Sequence, residues 1–303
     1  MRVAAVSQKS RILPPTQTPI LNQTSETTSR MPSTVPADMR IAREWLIAVR
    51  SEMGGNYQVS ESETVLLLSG QGESNDKEWL SFCERNIKSI RTRLGIKTDN
   101  ERKTLIMLFT EVDDYYFHIS RFNSDGEHPL TSGLCIRMGK FDHVVMPYQD
   151  RVTTSQVLAH ELTHACVSHL PLPCWLNENL AMTFERNVSR QGFQLDREIA
   201  DRHYEHWRKT SIQRFWSGEA FHIPSETEMA YGLAEILGCI LTERAGPQAF
   251  QQFIDHADYK DAGQNAALNY LGLSLDEVLQ GFLGDGDWHP SPGQISEYYN
   301  RVR

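Results

Sequence analysis

Apolar residues recur along this chain in two successive rhythms. Residues 39–53 place Ile41, Trp45, Ala48 and Val49 near helical spacing, and Gly54–Gly55 end the run. Residues 64–68 (TVLLL) and 104–109 (TLIMLF) are short, continuous apolar runs, the pattern of buried strands. Between them, Trp79, Phe82, Cys83, Ile87, Ile90 and Leu94 recur every three to four residues. They predict a helix over 77–94, with Asn75 or Asp76 as its cap and Gly95 closing it. Residues 115–122 suit a helix or a strand equally. The Gly/Asp/Pro/Ser-rich stretch 123–133 reads as loop, and 134–138 and 143–146 read as strands around Gly139.

Beyond residue 150 the period changes to that of helices, over 153–169, 176–190, 196–216, 226–245 and 247–257. A shorter helix at 274–282 has Ser274 as its cap and Glu277 in position for a capping box. The expected fold class is therefore α+β. An N-terminal mixed β-sheet with helices, about 60–150, precedes a mainly helical C-terminal part, about 153–285, with an irregular tail at 286–303. One domain over 39–285 accounts for most of the chain. The glycines of GGNYQ and SGQGES lack the spacing of a dinucleotide loop and any Walker lysine, and read as turns.

Composition narrows the class of function without naming one. The 303 residues carry a formal charge of −9, which argues against nucleic acid as a general partner. Residues 1–38 hold five of the 13 prolines and no aromatic residue. Their Ser/Thr/Pro/Gln-rich part, 14–36, has too little apolar surface to order itself, so 1–38 reads as a disordered tail or linker. No signal peptide and no apolar run of about 18 residues is visible, so no membrane span is expected and a cytoplasmic location is the default. The five cysteines are odd in number, scattered and without a CxxC, which fits neither a disulfide framework nor a sulfur-only zinc site.

Chemistry concentrates in residues 157–185. His160-Glu161-Leu162-Thr163-His164 is an H-E-x-x-H, set among Val157, Leu158, Leu162 and Ala165. On a helix, residues four apart share a face about 6 Å from each other, so both imidazoles can reach one zinc ion. Polar side chains inside so apolar a helix are costly to bury without such a partner. Glu161 stands beside that face, placed to accept the proton of an attacking water. A third ligand is required, and Glu178, 14 residues after His164 and beyond the helix-breaking Pro171 and Pro173, is the candidate. Thr153 or Thr154 is the expected cap of the first helix. Glu185, seven residues after Glu178, shares its face and either orients a ligand ring or faces solvent. His203 and His206 lie in a highly charged segment and read as surface helix, while Cys166 and Cys174 read as small buried apolar residues.

HELTH followed by PCWLNENLA resembles the gluzincin zinc metallopeptidases, most nearly the bacterial peptidase MA-like domains. Their motif runs His-Glu-x-x-His, a Pro-containing loop, then Trp-Leu-x-Glu-Gly-Leu-Ala. The resemblance extends loosely over about 60–285 and is specific only in 157–185. It implies a zincin-like fold, a Zn2+ cofactor held by His160, His164 and Glu178, Glu161 as general base, and a peptide or protein substrate laid along an edge strand. A later family helix begins with a Tyr that steadies the oxyanion. Here MAYGLAEIL supplies Tyr231, with His222 as the other candidate. Asn179 stands where the family has Gly. The implied activity is peptide hydrolysis, endopeptidase rather than aminopeptidase, because no Gly-x-Met-x-Asn occurs. A catalytically inactive metallopeptidase-like interaction module and a zinc hydrolase of a non-peptide amide are the alternatives.

Overall fold

A computed structural model describes residues 37–54, 56–97, 103–122, 131–138, 141–190, 192 and 195–302. The Gly139 turn and most of the 1–38 tail, including all of 14–36, lie outside these residues. The chain divides into two compact units, one containing 37–86 and 103–154, the other 87–97 and 155–302.

The first unit begins with α1 (Ala37–Met53) and continues with β1 (Gln58–Glu61), β2 (Val65–Ser69), α2 (Glu73–Leu94), β3 (Thr104–Phe109), α3 (Val112–Ser120), β4 (Leu134–Met138) and β5 (Phe141–Pro147). The strands form one sheet in the order β1-β2-β3-β5-β4. β2, β3 and β5 run parallel, while β1 and β4 pair antiparallel at the two edges. The central strands read as unbroken apolar runs because neither face meets water. Leu66, Leu68, Leu105, Met107 and Val145 point into a core with α1 and α3, and the alternate Leu67, Ile106, Leu108, Val144 and Met146 are equally buried. One open choice is settled and two sequence expectations need correction. Residues 115–120 are helix, because Tyr115, His118 and Ile119 present one buried stripe. α2 starts at Glu73, ahead of the expected Asn75 or Asp76. Residues 58–61, whose Gln58 was expected within a turn, are an edge strand paired antiparallel with β2, and none of the four is fully buried.

Two histidines are sealed into this unit. His118 on α3 and His143 on β5 are fully buried, with Nε2 atoms 3.2 Å apart, among Trp45, Phe109 and Phe122. Burial, aided by the Arg121 charge, pushes the His118 pKa down to about 4. Burial, then His118 itself, puts His143 well below its ordinary value. For a depressed imidazole the unfolded chain binds the proton first. The stabilising contribution is therefore complete above pH 6.5 and is lost as pH falls toward the folded value. Each such histidine adds up to about 1.4 kcal/mol per pH unit to the slope. Urea unfolding is expected to show the protein losing about 4 kcal/mol more stability than the double variant His118→Phe, His143→Val between pH 6.5 and 4.5, about half from each histidine. Equal slopes for the two proteins would sink this assignment.

The second unit is helical. It follows α4 (Arg151–Val167) with α5 (Cys174–Ser189), α6 (Arg197–Lys209), α7 (Gln213–Ser217), a 3-10 turn (Glu219–His222) and α8 (Thr227–His256). It then adds the 3-10 turn Tyr259–Asp261, α9 (Gln264–Ala266), the π turn Ala267–Leu271, α10 (Leu275–Leu283) and α11 (Pro292–Val302). α8 changes direction at Gly246, whose φ of 75° only glycine adopts readily, and Pro247 restarts the helix. The 196–216 segment is two helices, with Thr210 extended between them. Ser274 does sit at the cap position of α10, but its hydroxyl bonds Asp276 and Gln264 and forms no capping box. Residues 292–302, expected to be irregular, form α11, which packs on α7. Its Ile295 is fully buried, and Gln213 fixes the entry to the helix by accepting from the Ser291 N–H.

Candidate metal centre

The site begins with an enclosed helix. Asp150 starts α4, its carboxylate accepting the Val152 and Thr153 N–H groups at 2.8 and 3.0 Å. This places the cap ahead of the expected Thr153 or Thr154, because a carboxylate suits the positive end of the helix. Every residue from Val157 to Leu162, and on to His164, is buried. Thr163 satisfies itself on the Ala159 carbonyl at 2.8 Å. His160, Glu161 and His164 are 7%, 1% and 4% exposed, so charged or polar groups sit where only a compensated arrangement is stable.

α5 supplies that compensation. Pro173 in extended conformation ends the connecting turn, and Trp175 anchors the first turn of the helix. The Trp175 indole N–H donates to the Ala262 carbonyl at 3.0 Å, and its ring lies among Phe215, Trp216 and Phe253. Pinned in this way, α5 presents Glu178, only 1% exposed, to the two imidazoles. Its oxygens lie 3.6 Å from His160 Nε2 and 3.8 Å from His164 Nε2. One donor atom from each of the three residues falls within 4.8 Å of the others. A tetrahedral ion with bonds of about 2.0–2.1 Å asks for donors about 3.3–3.4 Å apart. The separations from Glu178 exceed that by a few tenths of an ångström, so the donor set fits a metal ion.

The rings are held from behind. Glu185 Oε2 is 2.9 Å from His160 Nδ1, and Asn177 Oδ1 is 3.0 Å from His164 Nδ1. Such contacts fix the tautomer and leave each Nε2 for a metal. Of the two readings open for Glu185, the structure takes the ring-orienting one. Asn177 escaped the sequence analysis. Its signal was its place immediately before Glu178, which puts it one step around the same helix.

Electrostatics favour positive charge at the centre. Burial alone would depress His160, but hydrogen bonds to Glu178 and Glu185 and the charges of Glu161 and Glu178 carry it up to about 10. Burial works to raise Glu178, and is outweighed by His164, His160 and a hydrogen bond from Tyr231, which hold it below the ordinary carboxylate value. Tyr231 thus joins the cluster through Glu178 while its ring meets Phe221 edge-on at 5.1 Å. His222, the other candidate, ends the 3-10 turn 219–222 and is not one of the three converging donors.

Asn179 proves to be a packing residue. A Cβ on Gly238 of α8 would come within 2.0 Å of the Asn179 side chain, so the small residue that allows close helix approach here lies on the opposite helix. His203, read as surface, is 4% exposed and accepts a hydrogen bond from the Trp207 indole at 3.3 Å. Gly232 leaves room for it, since a Cβ there would stand 2.8 Å from His203 Nε2. All five cysteines are free thiols. Burial pushes Cys166 up to about 11 and Cys174 well above its ordinary value, as suits neutral packing groups.

No family model matches this chain, and no curated protein matches it. What is established is a buried two-histidine, one-glutamate cluster with the spacing and chemistry of a metal site, in a helix that follows a mixed β/α region. No described helix is long and apolar enough to cross a membrane.

Proposed function

We propose that this protein is a zinc-dependent peptidase of the gluzincin type, built on a zincin-like fold over residues 39–285. The observation that carries the reading is the convergence of His160, His164 and Glu178 around one point, with Glu161 buried in the intervening turn. Two imidazoles and one carboxylate form a donor set of the catalytic kind, which leaves a coordination position open. Held by His160, His164 and Glu178, a zinc ion would supply Lewis acidity to the scissile carbonyl and would acidify the attacking water. Glu161 accepts the proton of that water as its oxygen bonds to the carbonyl carbon. It then delivers the proton to the amine nitrogen as the C–N bond breaks. The Tyr231 hydroxyl, hydrogen-bonded to Glu178, is the donor proposed for the developing oxyanion. Asn177 and Glu185 keep the two rings in register throughout. Endopeptidase action remains preferred over aminopeptidase action, for want of an amine-anchoring motif.

The test is to load the protein with one equivalent of zinc, expose a mixed peptide library, and sequence the new termini. New termini produced by the wild type and absent with Glu161→Gln support the proposal. A wild type that holds zinc and cuts nothing refutes it.

A further inference from the structure

The chemistry proposed above leaves His118 and His143 of the first unit unused. Both occupy places that the fold otherwise gives to apolar side chains. His143 stands on β5 in register with Leu105 of β3 on one side and Ile136 of β4 on the other. His118 lies on the buried stripe of α3 with Tyr115 and Ile119. Each is 0% exposed. Phenylalanine or valine would fill such positions without taking two polar rings out of water, so packing alone does not call for the pair.

We propose that the two rings form a metal site of their own, which takes one copper(I) ion between their Nε2 atoms. The proposal stands apart from the peptidase reading and does not depend on it.

The geometry is nearly that of the complex. The Nε2 atoms converge at 3.2 Å, and a linear N–Cu–N unit asks them to part by less than about 1 Å. No described group hydrogen-bonds the Nδ1 of either ring. When the rings bond only each other, one Nε2–H donates to the other Nε2. One Nδ1 then keeps a bare lone pair, and the other an unanswered N–H. The surroundings are aromatic: Trp45 is 4.9 Å from His143 between ring centroids, and Phe122 and Phe109 are 5.3 and 5.6 Å from His118. A π system can receive an N–H but repels a lone pair. With copper on both Nε2 atoms, both Nδ1 atoms carry hydrogen, which is the state these surroundings suit.

The number of donors selects the ion. Among the described residues, no third His, Cys, Asp or Glu joins this pair. Zinc asks for about four donors, and any divalent ion pays a larger desolvation penalty in such a core. Copper(I) has a closed shell, accepts two imidazoles in a line, and brings a single charge that neighbouring rings attract. Arg121, whose charge reaches His118, is itself answered by Glu52 at 2.7 Å.

The test uses protein loaded with one equivalent of zinc and labelled with 15N-histidine. Copper(I), buffered with bicinchoninate under anaerobic conditions, is added until the free thiols are also saturated. Long-range 1H–15N spectra read each ring nitrogen. His118→Phe and His143→Val assign the two rings, and contacts to the Trp45 indole assign them independently of any variant. The Nε2 signals of both rings are expected to move together to the metal-bound position, with both Nδ1 atoms appearing as N–H. In either single variant the remaining ring is expected to lose at least about 10²-fold in affinity, because the advantage of two linked donors is gone.

Copper taken up by the cysteines with both histidine signals unmoved overturns the proposal. A remaining ring that binds as tightly as the pair overturns it too, as does an equal response to excess zinc.

Discussion

Replacing Glu161 with glutamine is expected to lower kcat for peptide hydrolysis by about 10³–10⁴-fold while the protein still binds one zinc ion. The substitution changes one atom and removes a charge. Glu161 is 1% exposed within the most enclosed stretch of α4, so little else can accept the proton in its place. A loss of that size corresponds to about 4–5.5 kcal/mol of transition-state stabilisation. Because Glu161 is not one of the three converging ligands, zinc stoichiometry and KM should change little. Turnover measured beside metal content by mass spectrometry separates the outcomes. A variant that retains a tenth of the activity would show that another group moves the proton.

The second large effect is expected at Glu178. Glu178→Ala should weaken zinc binding by at least about 10³-fold, read from competition with a chelator. Loss of an outer contact such as Glu185 costs only about 10–100-fold, so Glu185→Ala should fall well short of Glu178→Ala. The carboxylate is the proposed third ligand, and its charge also favours positive charge on His160. Its removal leaves His160 and His164 facing each other across a hole at ring centroids 4.8 Å apart. Glu178→Gln, which fills the same space, separates loss of a ligand from loss of packing. A glutamine variant that binds zinc as tightly as the wild type would remove Glu178 from the metal centre.

The parts of the molecule legible in the sequence share one physical cause. Where a side chain's period or run directly reports burial, the reading succeeds. TLIMLF could hardly be anything but a strand closed on both faces, and the stripe from Trp79 to Leu94 is a helix on any count. The metal cluster was legible for the same reason, since polar residues at helical spacing inside an apolar helix demand a common partner.

Elsewhere the deciding contact is distant in sequence and leaves no local trace. His203 sits in one of the most charged segments of the chain, yet it is buried because Gly232, 29 residues on, makes room for it. Asn179 stands where the resembled family has Gly, and it is Gly238 on α8 that leaves room for its side chain. The cap of α4 moved because a carboxylate at Asp150 competes better for N–H groups than the threonines after it. α11 was hidden by glycine and proline in the chain before it, and is held by a buried isoleucine and a glutamine from α7.

The central claim is that two histidines and a glutamate form the metal centre and that the cysteines take no part in it. X-ray absorption at the zinc edge of protein loaded with one equivalent addresses it directly. The account predicts a first shell of nitrogen and oxygen donors only, at about 2.0–2.1 Å, with the outer scattering of two imidazole rings. A sulfur shell at about 2.3 Å, or zinc that is not retained at one equivalent, would contradict it.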